Sequence, residues 1–169
     1  MTKIAKCYCQ KIPPCRFVGK LCPEGMSIPA FWGECFEKGF FEPLEKLLTP
    51  EFCADYPDTD AYIGLIRPQN GKNEYYIGMF LPENSSVPEC YESMELPSQH
   101  AGICWVQGAE DGVYGQEKAC RQEVTANGMQ ICSDSNGLFS YFERYGCPRF
   151  TTPDENGEII LDIGFFIEA

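Results

Sequence analysis

A chain of 169 residues, 44% hydrophobic and 14% aromatic, can bury the core of one domain, or of two small halves sharing one. Its net charge is −12 and unevenly spread: Lys3, Lys6, Lys11, Arg16 and Lys20 lie among the first 20 residues without an acid, and beyond them eight basic residues face 25 acidic ones, a balance of −17. Such a surface repels phosphate backbones, no basic stripe offsets it, and no apolar run approaches the roughly 20 residues of a bilayer span, so nucleic acid and membrane are both excluded as expected partners.

The N-terminal "MTKIAKCYCQKIPPC" is positively charged but lacks the apolar centre of a secretory signal. Eleven cysteines without an export signal are read as buried free thiols in a reduced, cytoplasmic protein. The spacing of Cys7, Cys9, Cys15 and Cys22 lacks the two close pairs of common zinc sites, and His100 is the only histidine, so neither metal nor cofactor is expected.

Cys15 to Leu21 reads as a short strand. A helix follows from Ser27 as N-cap, with Pro29 in its first turn and Ile28, Phe31, Trp32, Cys35 and Phe36 as its apolar stripe. Gly39 stops or bends it, and "FEPLEKLL" adds a second helical piece. Two strands, "AYIGLI" and "EYYIGMFL", meet at Asn70-Gly71, a strong hairpin signal. The proline-rich stretch from Pro82 to Pro97 reads as a link. Beyond it, "HAGICWVQG" is a strand, and Gly112 to Gly128 holds a helix with Val113, Cys120 and Val124 on one side. "GLFSYFERYG" and "EIILDIGFFI" close the chain, with Asn156-Gly157 at their turn.

The two halves thus repeat one order of elements: residues 10–81 as a first repeat, 82–99 as connection, 100–169 as a second. The expected class is α+β, made of duplicated strand–helix–strand–strand units with antiparallel sheets, helices packed on one side and a pocket between the repeats.

One residue stands out within "SYFERYG". In an extended chain Tyr141, Glu143 and Tyr145 share one face, and Ser140, Phe142 and Arg144 the other. A carboxylate on an aromatic face costs free energy unless paired, and three readings stay open. Glu143 faces solvent or pairs with Arg149 or Lys118. Alternatively, tyrosine hydroxyls hold it as an anion for a cationic ligand. In the third reading it acts as a general acid or base.

The aromatic strand with Glu-x-Tyr, a proline-containing loop and the closing "EIILDIGFFI" resemble the end of the GyrI-like small-molecule-binding domain, the effector-binding domain of some AraC- and MerR-type regulators. "AYIGLIRPQNGKNEYYIGMFLP" is similar to its first hairpin, "MELPSQHAGICWVQG" to its Leu-Pro and strand, and "GQEKACRQEVTANGM" to its second helix. The resemblance spans roughly residues 10 to 168. It implies an aromatic-lined pocket in which Glu143 meets a lipophilic, cationic ligand beside Tyr145. Strand and helix geometry adds Tyr141, Trp105, Tyr76, Tyr62, Trp32 and Phe31 as candidate walls. The residues before 15 are too few for a helix-turn-helix, which implies a stand-alone domain for drug or toxin sensing or sequestration. Other members of the resembling group imply two further options: a hydrolase of strained or toxic small molecules using Glu143, and a protein-binding module such as a DNA gyrase inhibitor. Glu110-Asp111 reads as an acidic first helical turn.

Overall fold

The structure is a computed structural model and describes residues 1–168. In chain order it runs β1 (Lys3–Ile12), β2 (Cys15–Leu21), α1 (Ile28–Glu37), α2 (Glu42–Glu45), α3 (Pro50–Asp55), β3 (Tyr62–Gln69) and β4 (Lys72–Pro82). There follow β5 (Glu92–Leu96), β6 (Gln99–Gly108), α4 (Glu110–Val113), α5 (Glu117–Ala126), β7 (Tyr141–Tyr145) and β8 (Ile159–Ile167). The chain divides into two units: Pro13–Ser98, and residues 1–12 with the chain from Gln99 onward.

In the first of these, β3, β4, β2 and β5 pair antiparallel in that order. Ser27 caps α1, its hydroxyl accepting from the Ala30 amide at 3.3 Å, and Thr49 caps α3 by accepting from the Phe52 amide at 3.3 Å. The β3–β4 turn places Asn70 at φ 50° and Gly71 at φ 77°, the left-handed pair that matches a tight hairpin to strand twist.

In the other unit, β1, β6, β8 and β7 pair antiparallel in that order. One face of this sheet carries Cys104, Val106, Leu161, Ile163 and Phe165, packed with Val113, Cys120 and Val124 from α4 and α5. Gly102 permits that approach, since a Cβ there would lie 2.7 Å from Val124 Cγ1. Gly164 does the same on the opposite face, where the Phe142 ring lies across it.

Both units show one connectivity: a first strand, helices, then a strand pair, with a further strand added outside the first. The added strands are where the structure departs from the sequence reading. Residues 3–12, to which the sequence reading assigned no element, form β1, and part of the expected link forms β5. A third short helix, α3, was also absent from the expectation. Asn156-Gly157 is not a two-residue hairpin link. It lies late in the 146–158 connection, where Asp154 Oδ1 accepts from the amides of Asn156 at 2.8 Å and Glu158 at 2.9 Å.

Candidate functional site

Strand β7 is five residues long and alternates strictly. Phe142 and Arg144 are buried, while Tyr141, Glu143 and Tyr145 are half-buried. Its register against β8 sets Tyr141 opposite Phe165 and Glu143 opposite Ile163. Glu143 therefore lies on the side of the sheet that packs against the helices, as do its tyrosine neighbours. The Tyr145 hydroxyl donates to Glu143 Oε2 at 2.7 Å, a charge-assisted bond that favours the ionised carboxylate. The Tyr145 ring meets Phe150 edge-on at 4.8 Å, and Tyr141 stacks on Phe165 at 5.6 Å with Phe139 beside both.

The electrostatics of this corner are anionic. Burial pushes the Tyr141 hydroxyl up to about 12, helped by the nearby charges of Glu117 and Glu143. Burial also raises Tyr114, with the charges of Glu110 and Glu143 and a hydrogen bond to Glu110 adding to it. Three tyrosines and three carboxylates thus gather around the end of β7, the α4–α5 junction and the start of α5. Glu110 does sit in the first turn of α4, as the sequence implies, and it also faces this cluster. Tyr114, Glu117, Phe139 and Phe150 were not singled out in the sequence; Gly112 and Gly115 flanking Val113-Tyr114 are the available sign of a turn that presents an aromatic.

The opposite face of the same sheet holds a buried ion cluster. Arg144 and Asp162 are both 0% exposed. Arg144 Nε and Nη2 each lie 2.7 Å from Asp162 Oδ2, Nη1 donates to Gln10 Oε1 at 2.9 Å and Nη2 to the Tyr8 hydroxyl at 3.3 Å. Arg149 also grips Asp162, through Nε at 2.7 Å and through a second, shorter contact from Nη2.

Trp105 belongs to that opposite face, being paired with Asp162 across β6 and β8. It is therefore not a wall of the Glu143 cluster; a period of two residues sets it on the far side of the sheet. Lys6 Nζ lies 4.7 Å and the Arg149 guanidinium 5.0 Å from its ring centre.

The remaining candidates lie in the other unit. Tyr62 stacks face to face on Phe41 at 3.6 Å and donates to Glu45 Oε1 at 2.5 Å. Trp32 donates from Nε1 to the Tyr75 hydroxyl at 3.0 Å and stacks near Phe36 and Phe41. Phe31 is a core residue, 4% exposed. Tyr76 faces away from the Tyr62 side of its sheet, donates to Glu74 Oε2 at 2.8 Å and meets Phe17 edge-on. Burial first, and then the Glu74 contact, push its hydroxyl up to about 12.

No family model matches the chain, and no curated relative matches it. Solved structures do. The chain is similar to a protein described as a bacterial transcription regulation protein from Staphylococcus aureus MU50, at 19% identity and TM-score 0.65, covering 97% of this chain and 99% of that one. It is similar to SAV2435 bound to tetraphenylphosphonium, at 17% identity and TM-score 0.67, covering 97% and 94%. It also resembles the EcmrR C-terminal domain, at 16% identity and TM-score 0.61, covering 96% and 97%; in the EcmrR–DNA complex it spans 57% of the EcmrR chain. At this identity the likeness establishes architecture alone: the chain shares the fold of these proteins.

Proposed function

We propose that the chain binds a lipophilic organic cation, with Glu143 as counter-charge and Tyr141, Tyr145 and Tyr114 as aromatic contacts. The single observation that carries this reading is the Tyr145 hydroxyl bonded to the Glu143 carboxylate on a ring-lined, anionic corner of the sheet. The hydroxyl helps keep the carboxylate ionised while leaving acceptor capacity for a ligand. Ring faces attract a cation by about 0.5–2 kcal/mol each, and a cation whose charge is spread over large apolar groups loses little on leaving water. Glu110 and Glu117 deepen the negative potential without occupying the same atoms. The tetraphenylphosphonium held by SAV2435, a protein of this fold, belongs to that ligand class. Such binding serves sensing or sequestration of a drug or toxin. The eleven cysteines, all free, suit a reducing cytoplasmic setting, and no helix among the described residues is long and apolar enough to cross a membrane.

Calorimetric titration with tetraphenylphosphonium and with neutral triphenylphosphine oxide tests the reading. Glu143→Gln is expected to weaken the cation about tenfold or more and the neutral compound far less, a tenfold change being roughly 1.4 kcal/mol. Equal loss for both, or no loss for the cation, overturns it.

A further inference from the structure

Trp105 has the wrong surroundings for a cation, and they point to a ligand of opposite charge. One row of directly paired residues crosses the four strands of its sheet: Lys6 on β1, Trp105 on β6, Asp162 on β8 and Arg144 on β7. Arg149 folds back from the loop after β7 onto Asp162 and the indole. The row and Arg149 together hold three cations and one anion. Asp162 is already shared by two guanidinium groups, so it does not neutralise Lys6. Glu158, reached from Gln107 on the same face, is engaged by the Gln107 amide and the Met1 amino group.

Lys6 has no ion pair among the described residues; its ammonium rests 4.5 Å from the Tyr8 ring and 4.7 Å from the Trp105 ring. The Trp105 indole N–H is buried and has no acceptor. A buried donor without a partner costs free energy and calls for an acceptor. With the ammonium of Lys6 over the same ring, the acceptor that satisfies both features is an oxyanion.

We propose that the indole N–H of Trp105 and the ammonium of Lys6 form a subsite for a carboxylate or phosphate group, on the face of the sheet opposite Glu143. Arg149 contributes field and an edge to the site rather than its main bond, because Asp162 holds its fork. The subsite is independent of the cation-binding reading: it uses different residues, the other face and the other sign of charge.

The test follows the Trp105 indole N–H resonance in the full-length protein, assigned by its loss in Trp105→Phe. Potassium phosphate and potassium acetate are titrated separately against chloride at constant ionic strength. One or both anions are expected to give a saturable downfield shift, and the preferred one distinguishes a tetrahedral from a planar oxyanion. Lys6→Gln, at an exposed position, should raise the dissociation constant about tenfold, the usual effect of removing a charged hydrogen-bond partner, while Lys6→Arg should retain binding. Tetraphenylphosphonium affinity should be unchanged by Lys6→Gln. A shift that never saturates, no shift at all, or an identical titration in Lys6→Gln overturns the proposal and leaves the indole satisfied by water alone.

Discussion

Asp162→Asn is the substitution for which the structure gives the clearest magnitude. Asp162 and Arg144 are completely buried, and Arg144 Nε and Nη2 both meet Asp162 Oδ2. Replacing the carboxylate by an amide keeps the shape but removes the buried negative charge that Arg144 and Arg149 share. Breaking one partner of a buried pair costs about 3–5 kcal/mol. Arg144 keeps its bonds to Gln10 and Tyr8, and Arg149, which is partly exposed, can turn to water, so the lower half of that range is expected. With a urea slope of about 2 kcal/mol per molar, the unfolding midpoint should fall by roughly 1.5–2 M. The assay is urea unfolding followed by circular dichroism. The double replacement Arg144→Met with Asp162→Leu removes both charges and should recover much of the loss. A shift of less than about 0.5 M for Asp162→Asn, or a double variant weaker than the single one, would refute the claim that this pair holds β7 against β8. The consequence reaches the candidate site, because the buried side of β7 dictates which way Glu143 points.

Gly102→Ala should destabilise by about 1–3 kcal/mol, because the new methyl would lie 2.7 Å from Val124 Cγ1 and press α5 off the sheet. A thermal-unfolding double-mutant cycle with Val124→Ala should show favourable coupling; additive losses would contradict the clash. Ultraviolet titration of the tyrosines should show Tyr141 and Tyr76 ionising near 12 in the folded protein, above the usual value near 10. The unfolded chain then loses those protons first, so stability should fall as pH rises from about 10 to 12. Flat stability across that interval would contradict the burial assigned to these two hydroxyls.

Much of the fold was legible because local chemistry and packing agree. Ser27 with Pro29, the Asn70-Gly71 turn and the aliphatic closing strand β8 each have one low-energy backbone choice, and each was realised as read. Strand β1 was hidden because Lys3-Ile-Ala-Lys-Cys-Tyr-Cys alternates weakly and its partner, β6, lies far along the chain. Pairing across such a distance leaves no local trace. Strand β5 was masked for a similar reason: its partner β2, more than seventy residues away, supplies the hydrogen bonds that its polar composition does not advertise.

For the site, the sequence by itself determined that Tyr141, Glu143 and Tyr145 share a face, since alternation is a property of the extended backbone. It also determined that the chain is acidic overall with a basic start. Only the tertiary structure decided which face of the sheet receives the helices, that Tyr114 comes near Glu143 and Glu117 near Tyr141, and that Trp105 stands on the other side between cations. Those outcomes depend on register between strands distant in sequence. A one-residue slip there would exchange every side chain between the two faces, and nothing local to "SYFERYG" or "HAGICWVQG" sets it.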